Sequence, residues 1–351
     1  MLCRQRVSTV LLWLGAFIAA GSVPWLRFLE KESPRVRSVV AASSNITSYR
    51  LLQSPGPKKC WVFTHMGKAG GSTVKGLMDA SIKHTHHTIG LYQNHQWMRG
   101  KDSVKKGLET TKYTMIFGPY AEALRPYGGN NCKWFTMFRH PVSRLVSAYF
   151  YCKQRTRDEL CATDVLSAQK TDLHTFAEHW GNYGLRQFAL AFVGAEQVLS
   201  AELKSGKKAR SLEFPGWYRL KEYFEGLHEA QQAETIAHRP GASNDFAMSN
   251  LLPPVEDLLR WNYSAVGILE QWETSMILFN KALEVPNFDW SAVSPNIGRK
   301  NADEKFRAEE ARVLRAAWDD PAIKNFLWLD LTLYDFAVSV HRKQAAEYGV
   351  I

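Results

Sequence analysis

A glycine-rich segment between an apolar run and an amphipathic run, within residues 63–78, constrains the fold of this chain more than any other feature. The apolar run at residues 61–63 predicts a buried strand, and residues 73–82 have the spacing of a helix. Between them, residues 67–73 read Gly-Lys-Ala-Gly-Gly-Ser-Thr. A strand, a glycine-bearing loop and a helix in this order bring free backbone N–H groups, a helix N-terminus and one lysine together. The segment is therefore predicted to bind a phosphate or a sulfate.

The position of the lysine separates this loop from the P-loop of nucleotide triphosphatases. In that loop the lysine directly precedes the Ser or Thr that binds magnesium. Here Lys68 lies four residues before Ser72, and we find no acidic magnesium ligand after a second strand. A P-loop kinase is therefore disfavoured, and no metal site is predicted. An ordinary glycine-rich turn between strand and helix would use the same residues, so the loop alone does not define a function.

Short apolar runs recur along the chain, at residues 113–117, 134–138 and 265–268. They do not alternate with polar residues, which is typical of buried parallel strands. Longer amphipathic segments lie between and after them, at residues 142–155, 173–180, 185–193, 255–261, 272–283, 303–318 and 321–345. Strands that alternate with helices predict an α/β protein, here a P-loop-like three-layer fold with a central parallel sheet flanked by helices.

The N-terminus predicts a membrane anchor. Residues 7–26 are uncharged and would span about 30 Å as a helix, enough for a bilayer core. Arg4 and Arg6 favour a cytosolic N-terminus. We therefore expect a cytosolic tail at 1–6, a transmembrane signal anchor at 7–26, a stem at 27–57 and a lumenal domain at 58–351. The alternative is a cleaved signal peptide, with a cleavage region at residues 19–22.

Sequons and cysteines agree with a secretory compartment. Residues 45–47 and 262–264 are glycosylation sequons. Excluding Cys3, four cysteines remain, which permits two disulfides. Cys152 with Cys161 closes a short loop and is the first choice. Cys60 and Cys132 each lie three residues before a strand phenylalanine, so they can meet if those strands are neighbours.

A second anion site is predicted where the run 134–138 meets Arg139-His140-Pro141. Proline is favourable at the first position of a helix, so Arg139 projects from the carboxyl end of a strand, where α/β proteins bind ligands. Ser147 lies on the helix that follows. A guanidinium and a hydroxyl can together hold a second phosphate. Two such sites in one sheet imply a ligand with anionic groups at both ends.

The two motifs resemble those of the Golgi carbohydrate sulfotransferases. FTHMGKAGGST is similar to their 5′-phosphosulfate-binding loop, and FRHPVSRLVSAYF is similar to their 3′-phosphate-binding strand and helix. The heparan sulfate 6-O-sulfotransferases are most similar, followed by the 2-O-sulfotransferases of heparan and uronic acids. Looser similarity extends over residues 60–345, at 182–187, 266–270, 296–300 and 329–335.

This resemblance implies transfer of a sulfuryl group from 3′-phosphoadenosine 5′-phosphosulfate (PAPS) to a sugar hydroxyl, without a metal ion. Lys68 and the loop amides would stabilise charge on the departing phosphate. Arg139 and Ser147 would hold the 3′-phosphate, and either Arg299 or Lys300 would complete that site. The residues assigned to the donor are Lys68, Ala69, Gly70, Gly71, Ser72, Thr73, Arg139, Ser147, Arg299 and Lys300.

The general base for the acceptor hydroxyl is where the sequence departs from that family. Its members commonly place a histidine after a glycine in the loop before the 3′-phosphate motif, whereas this chain reads Phe-Gly-Pro-Tyr-Ala-Glu at 117–122. Glu122 is the first candidate, ahead of His87 and His95. His140, where the family usually has aspartate, is assigned a packing role.

The expected partners are a glycan or acidic polysaccharide acceptor and, through the N-terminal helix, the membrane. The formal net charge of +10 predicts attraction to polyanions, and the basic loop 204–210 could form part of a docking groove. Nucleic acid is not expected as a partner. The expected location is the Golgi membrane, as a single-pass type II protein. The non-catalytic alternative is a lectin-like protein that binds polyanions but has lost the base.

Overall fold

The computed structural model describes residues 60–85, 115–118, 121–122, 125, 132–154, 161, 168–193, 248–285, 288–292 and 304–351. The predicted anchor, the stem and the basic loop 204–210 lie outside these ranges. Among the helices that are described, none is both long enough and apolar enough to cross a membrane.

In the described part of the chain, four parallel strands form the central sheet: β1 (Cys60–Thr64), β2 (Met115–Gly118), β3 (Cys132–Phe138) and β4 (Tyr263–Ile268). Their order across the sheet is β2-β1-β3-β4. Each lies on one of the four apolar runs of the sequence. The strands are buried almost throughout, which explains why they lack alternation.

Helices follow and separate the strands. In the described ranges they are α1 (Gly71–Thr85), α2 (Pro141–Gln154), α3 (Leu173–Trp180), α4 (Tyr183–Val193), α5 (Leu252–Asn262), α6 (Trp272–Leu283), α7 (Glu304–Asp319), α8 (Pro321–Phe326) and α9 (Trp328–Glu347). The bounds of α3 and α6 match the prediction, and most others differ by one to three residues at an end.

Successive strand residues point to opposite faces of the sheet and build two apolar cores. On one face, Phe63 and Phe135 pack with α1 and α6. On the other face, Val62 and Trp134 pack with α2, α3, α4, α5 and α9. Helices therefore cover both faces of a parallel sheet, which confirms the predicted α/β class.

Two disulfides join the described cysteines. Cys60 and Cys132 lie opposite each other at the amino ends of β1 and β3, with Cα atoms 4.5 Å apart. Cys152 and Cys161 close a short loop after α2, with Cα atoms 5.0 Å apart. Both pairings confirm the sequence-based expectation.

The prediction of one continuous helical segment at 321–345 is wrong, because the helix is interrupted at Leu327, between α8 and α9. The N–H groups of Leu329 and Asp330 donate to Oδ1 of Asn182 instead of to the preceding turn, each at 3.1 Å. This long-range cap starts α9 as a separate helix.

Candidate functional site

The predicted anion loops lie at a point where the connections of two neighbouring strands diverge. β1 continues into α1 on one face of the sheet, whereas the adjacent β3 continues into α2 on the other face. Such a divergence opens a crevice at the carboxyl ends of the strands, where open α/β sheets bind ligands. The geometry thus brings both anion loops to one crevice.

Two glycines shape the loop after β1. Gly70 has φ +80°, and a Cβ there would lie 2.9 Å from Cδ1 of Leu269. A Cβ on Gly71 would lie 1.9 Å from Cδ2 of His65. The first glycine provides a left-handed turn, and the second allows the imidazole to lie against the start of α1.

The backbone amides of the loop divide into two groups. The N–H of Ala69 donates to the carbonyl of Met66 at 3.2 Å, and the N–H of Thr73 donates to the carbonyl of Gly70 at 3.0 Å. Within the described part of the chain, no residue accepts a hydrogen bond from the N–H groups of residues 70–72. These three amides, rather than those of Ala69 and Thr73, are therefore available to an anion, and the exposed Ser72 lies beside them.

Lys68 has an unusual backbone and an aromatic neighbour. Its φ is +64°, a left-handed conformation that costs a non-glycine residue about 1–2 kcal/mol. Its Nζ lies 4.1 Å from the ring centroid of Tyr151 on α2. The ammonium group thus lies between the loop and α2, partly exposed.

Arg139 connects the two loops. Its Nη1 donates to the carbonyl of Lys68 at 3.2 Å, which places the guanidinium next to the first anion loop. Ser147 lies one turn before Tyr151 on α2, and residues four apart share a helix face. Because Tyr151 contacts Lys68, that face of α2 is turned toward the loop. Lys68 and Arg139 are therefore adjacent, and Ser147 lies on the face of α2 that is turned toward them.

The carboxylate of Glu122, the first candidate for the general base, is occupied by other residues of the protein. Its side chain is fully buried and forms an ion pair with Arg125. It also accepts hydrogen bonds from the hydroxyls of Thr64, at 2.8 Å, and Tyr263. Burial and the adjacent Glu122 carboxylate raise the pKa of Tyr263, so its hydroxyl stays a donor. We correct the assignment: Glu122 anchors the end of β1, because its acceptor oxygens are already occupied.

The remaining predicted site residues lie outside the described ranges. His87 and His95, the other base candidates, are among them, and so are Arg299 and Lys300.

His140 packs as expected from its position. Its ring stacks on Trp318 at 4.1 Å between centroids and meets the edge of Tyr334 at 5.3 Å. Its backbone N–H donates to Oε1 of Glu270 at 3.0 Å. Burial lowers the pKa of His140, although the carboxylate of Glu270 opposes this effect. A neutral, stacked imidazole fits a packing role.

His65 matches the loop of the resembled family, where the sequence leaves open a contact with substrate or hydrogen bonding to the sheet. It follows β1, its N–H donates to the carbonyl of Gly118 at 3.0 Å, and its carbonyl accepts from Nε2 of Gln187 at 2.6 Å. Its ring stacks on Phe117 with centroids 4.6 Å apart. The period of two along β1 puts His65 on the same face as Phe63, and their ring centroids lie 6.3 Å apart.

Comparison of the chain with family models, with curated proteins and with solved structures gave no match. In the described ranges, no group of three His, Cys, Asp or Glu side chains is placed to hold a metal ion.

Proposed function

We propose that this chain is a carbohydrate O-sulfotransferase that moves a sulfuryl group from PAPS to a hydroxyl of a glycan. The support is a crevice with two positions for anionic groups at the carboxyl ends of neighbouring parallel strands, together with motifs that resemble the donor site of the Golgi sulfotransferases. The crevice offers two cationic side chains and three backbone amides, which is the donor chemistry that a doubly anionic nucleotide requires. A P-loop-like arrangement of layers is part of the same proposal.

The hydrogen bond from Arg139 to the carbonyl of Lys68, at 3.2 Å, is the observation that carries this function. A single glycine-rich loop could bind any phosphate. Here the cation after β3 lies against the loop after β1, so one ligand with anions at both ends can contact both. PAPS carries a 3′-phosphate at one end and a 5′-phosphosulfate at the other.

Each of the site residues would have a separate role in the reaction. Residues 70–72 would orient the 5′-phosphosulfate through their N–H groups, and Lys68 would stabilise the charge that develops on the departing 5′-phosphate. Arg139 and Ser147 would hold the 3′-phosphate. The acceptor oxygen bonds to sulfur as the bond between sulfur and the phosphate oxygen breaks. This displacement needs no metal ion.

Binding of 3′-phosphoadenosine 5′-phosphate (PAP), the product nucleotide, tests the donor site directly. By isothermal titration calorimetry, Arg139→Ala should weaken PAP binding by about 10- to 100-fold, since a hydrogen bond to a charged group contributes about 1.5–3 kcal/mol. Adenosine 5′-phosphate, which lacks the 3′-phosphate, should bind both proteins alike. Arg312→Ala, an exposed arginine on α7, is the charge-matched control.

Transfer of labelled sulfate from PAPS to a panel of neutral and acidic polysaccharides tests the activity. We expect the secreted lumenal part to sulfate at least one of them. Glycan binding without transfer on any polysaccharide would instead favour the lectin-like alternative. If PAP did not compete with PAPS in this assay, the assignment of the donor site would be wrong.

The location is also a proposal. A membrane anchor at 7–26 and a lumenal domain would place the site where glycans and their sulfate donor meet. Expression of the full chain, followed by protease protection of the C-terminal part in microsomes, would test this orientation.

A further inference from the structure

His65 lies in the donor crevice without a role in the reaction proposed above. It is the first residue after β1, three positions before Lys68. The ring is partly exposed. A Cβ built on Gly71 would be 2.0 Å from its Nε2, so this nitrogen lies against the start of α1, next to the amides of residues 70–72.

The backbone and the ring face of His65 are held on three sides. Gly118 and Gln187 bind its N–H and its carbonyl, and Phe117 stacks on the imidazole. Within the described part of the chain, by contrast, no residue forms a hydrogen bond with either ring nitrogen. A fixed imidazole with unused nitrogens beside an anion site is placed to exchange a proton with a ligand.

The charges around this ring favour its neutral form in the free protein. Burial, then Lys68 on the loop and Lys75 on α1, lower the pKa of His65 to about 4. At neutral pH the imidazole is therefore an acceptor. An anion bound between these lysines would oppose their effect and raise the pKa, which strengthens the base when the donor is present.

Resting on the proposed function, we infer that His65 is the general base of the sulfuryl transfer. Its Nε2 takes the proton of the acceptor hydroxyl as the hydroxyl oxygen forms a bond to sulfur. The bond between sulfur and the 5′-phosphate oxygen breaks, and its electron pair leaves with PAP. The imidazolium then releases the proton to water. Glu122 cannot take this part, because Arg125, Thr64 and Tyr263 occupy its carboxylate.

Kinetics of His65→Asn and His65→Gln test the inference. Removal of a general base costs about 10²- to 10⁴-fold, so kcat should fall at least 100-fold, while the Kd for PAP stays within about threefold of wild type. Added imidazole should restore part of kcat to His65→Ala, which a purely structural loss would not allow. His174→Asn, which replaces an exposed histidine on α3, should leave both parameters unchanged.

An NMR titration of the wild-type protein gives a readout independent of turnover. The imidazole signals of His65, assigned by their absence in either variant, should titrate with a pKa near 4 in the free protein and clearly higher with PAP bound. A pKa that PAP leaves unchanged would remove His65 from the donor site.

The two proposals fail in different ways. If the wild-type protein transfers sulfate and His65→Asn retains its kcat, the general-base inference is wrong and the sulfotransferase proposal stands. If the wild-type protein transfers sulfate to no glycan, the proposed function falls and the role of His65 falls with it.

Discussion

Asn182 and Asp330 cap each other's helices: Asn182 caps α9, which contains Asp330, and Asp330 caps α4, which begins directly after Asn182. Oδ1 of Asn182, which precedes α4, accepts the N–H groups of Leu329 and Asp330 at the start of α9. The carboxylate of Asp330 accepts the N–H groups of Gly184 and Leu185 at the start of α4, at 3.0 and 2.9 Å. Gly184 and Asp330 are 146 residues apart in sequence, and their contact fixes α4 and α9 together on the face of the sheet that carries α2.

Asp330→Asn should destabilise the fold strongly. Asp330 is also the buried ion-pair partner of Arg144 on α2, and loss of one partner from a buried pair costs about 3–5 kcal/mol. We expect a decrease of about 3 kcal/mol in the free energy of unfolding, measured by urea denaturation. Asp335→Asn changes an exposed residue on the same helix and should cost less than about 0.5 kcal/mol. Equal effects would contradict the role given to Asp330.

The sheet could be predicted from the sequence because its strands are short apolar runs, a local signal. The loop at residues 67–73 was likewise recognisable from its glycines and Lys68 alone. The break at Leu327 between α8 and α9 was not, because it depends on Asn182, which is distant in sequence. The same reason explains why the sequence did not predict that the carboxylate of Glu122 is occupied. Three of its partners lie at residues 64, 125 and 263, and no local pattern relates them.

Glu122→Gln should act on stability and not on the protonation step. A neutral amide would leave the buried Arg125 guanidinium, 3.8 Å above the Trp134 ring, without a counterion. We expect a loss of about 3 kcal/mol in the free energy of unfolding. The shape of the pH–rate profile should stay that of wild type, since Arg125, Thr64 and Tyr263 already occupy the carboxylate of Glu122.

Glu347→Gln is the matched control for this variant, because it breaks an exposed ion pair with Lys343. Such a pair contributes about 0–1 kcal/mol. A Glu122→Gln protein with wild-type stability and an altered acid limb in its rate profile would restore Glu122 as a candidate base.

The two disulfides should contribute unequally to stability. Cys60–Cys132 spans 72 residues and Cys152–Cys161 spans 9. In the chain-entropy account, the longer loop contributes about 4 kcal/mol and the shorter about 2.5 kcal/mol. Paired Cys→Ala variants, compared by denaturant unfolding without reductant, should show the larger loss for the first pair. The reverse order would mean that the link between β1 and β3 constrains the unfolded chain less than its length implies.

Lys68→Ala and Lys68→Gly together separate the chemistry of the loop from its backbone strain. Both variants remove the ammonium group, so both should lose at least 100-fold in turnover, the effect of removing one transition-state donor. Only glycine adopts φ +64° without a steric cost, so Lys68→Gly should be the more stable of the two by up to about 1 kcal/mol. Labelled sulfate transfer and thermal unfolding measure the two effects, with Lys170→Ala, an exposed lysine, as the charge control. Near-normal turnover in Lys68→Ala would overturn the assignment of the donor loop, and a less stable glycine variant would mean that the left-handed turn at Lys68 carries no strain.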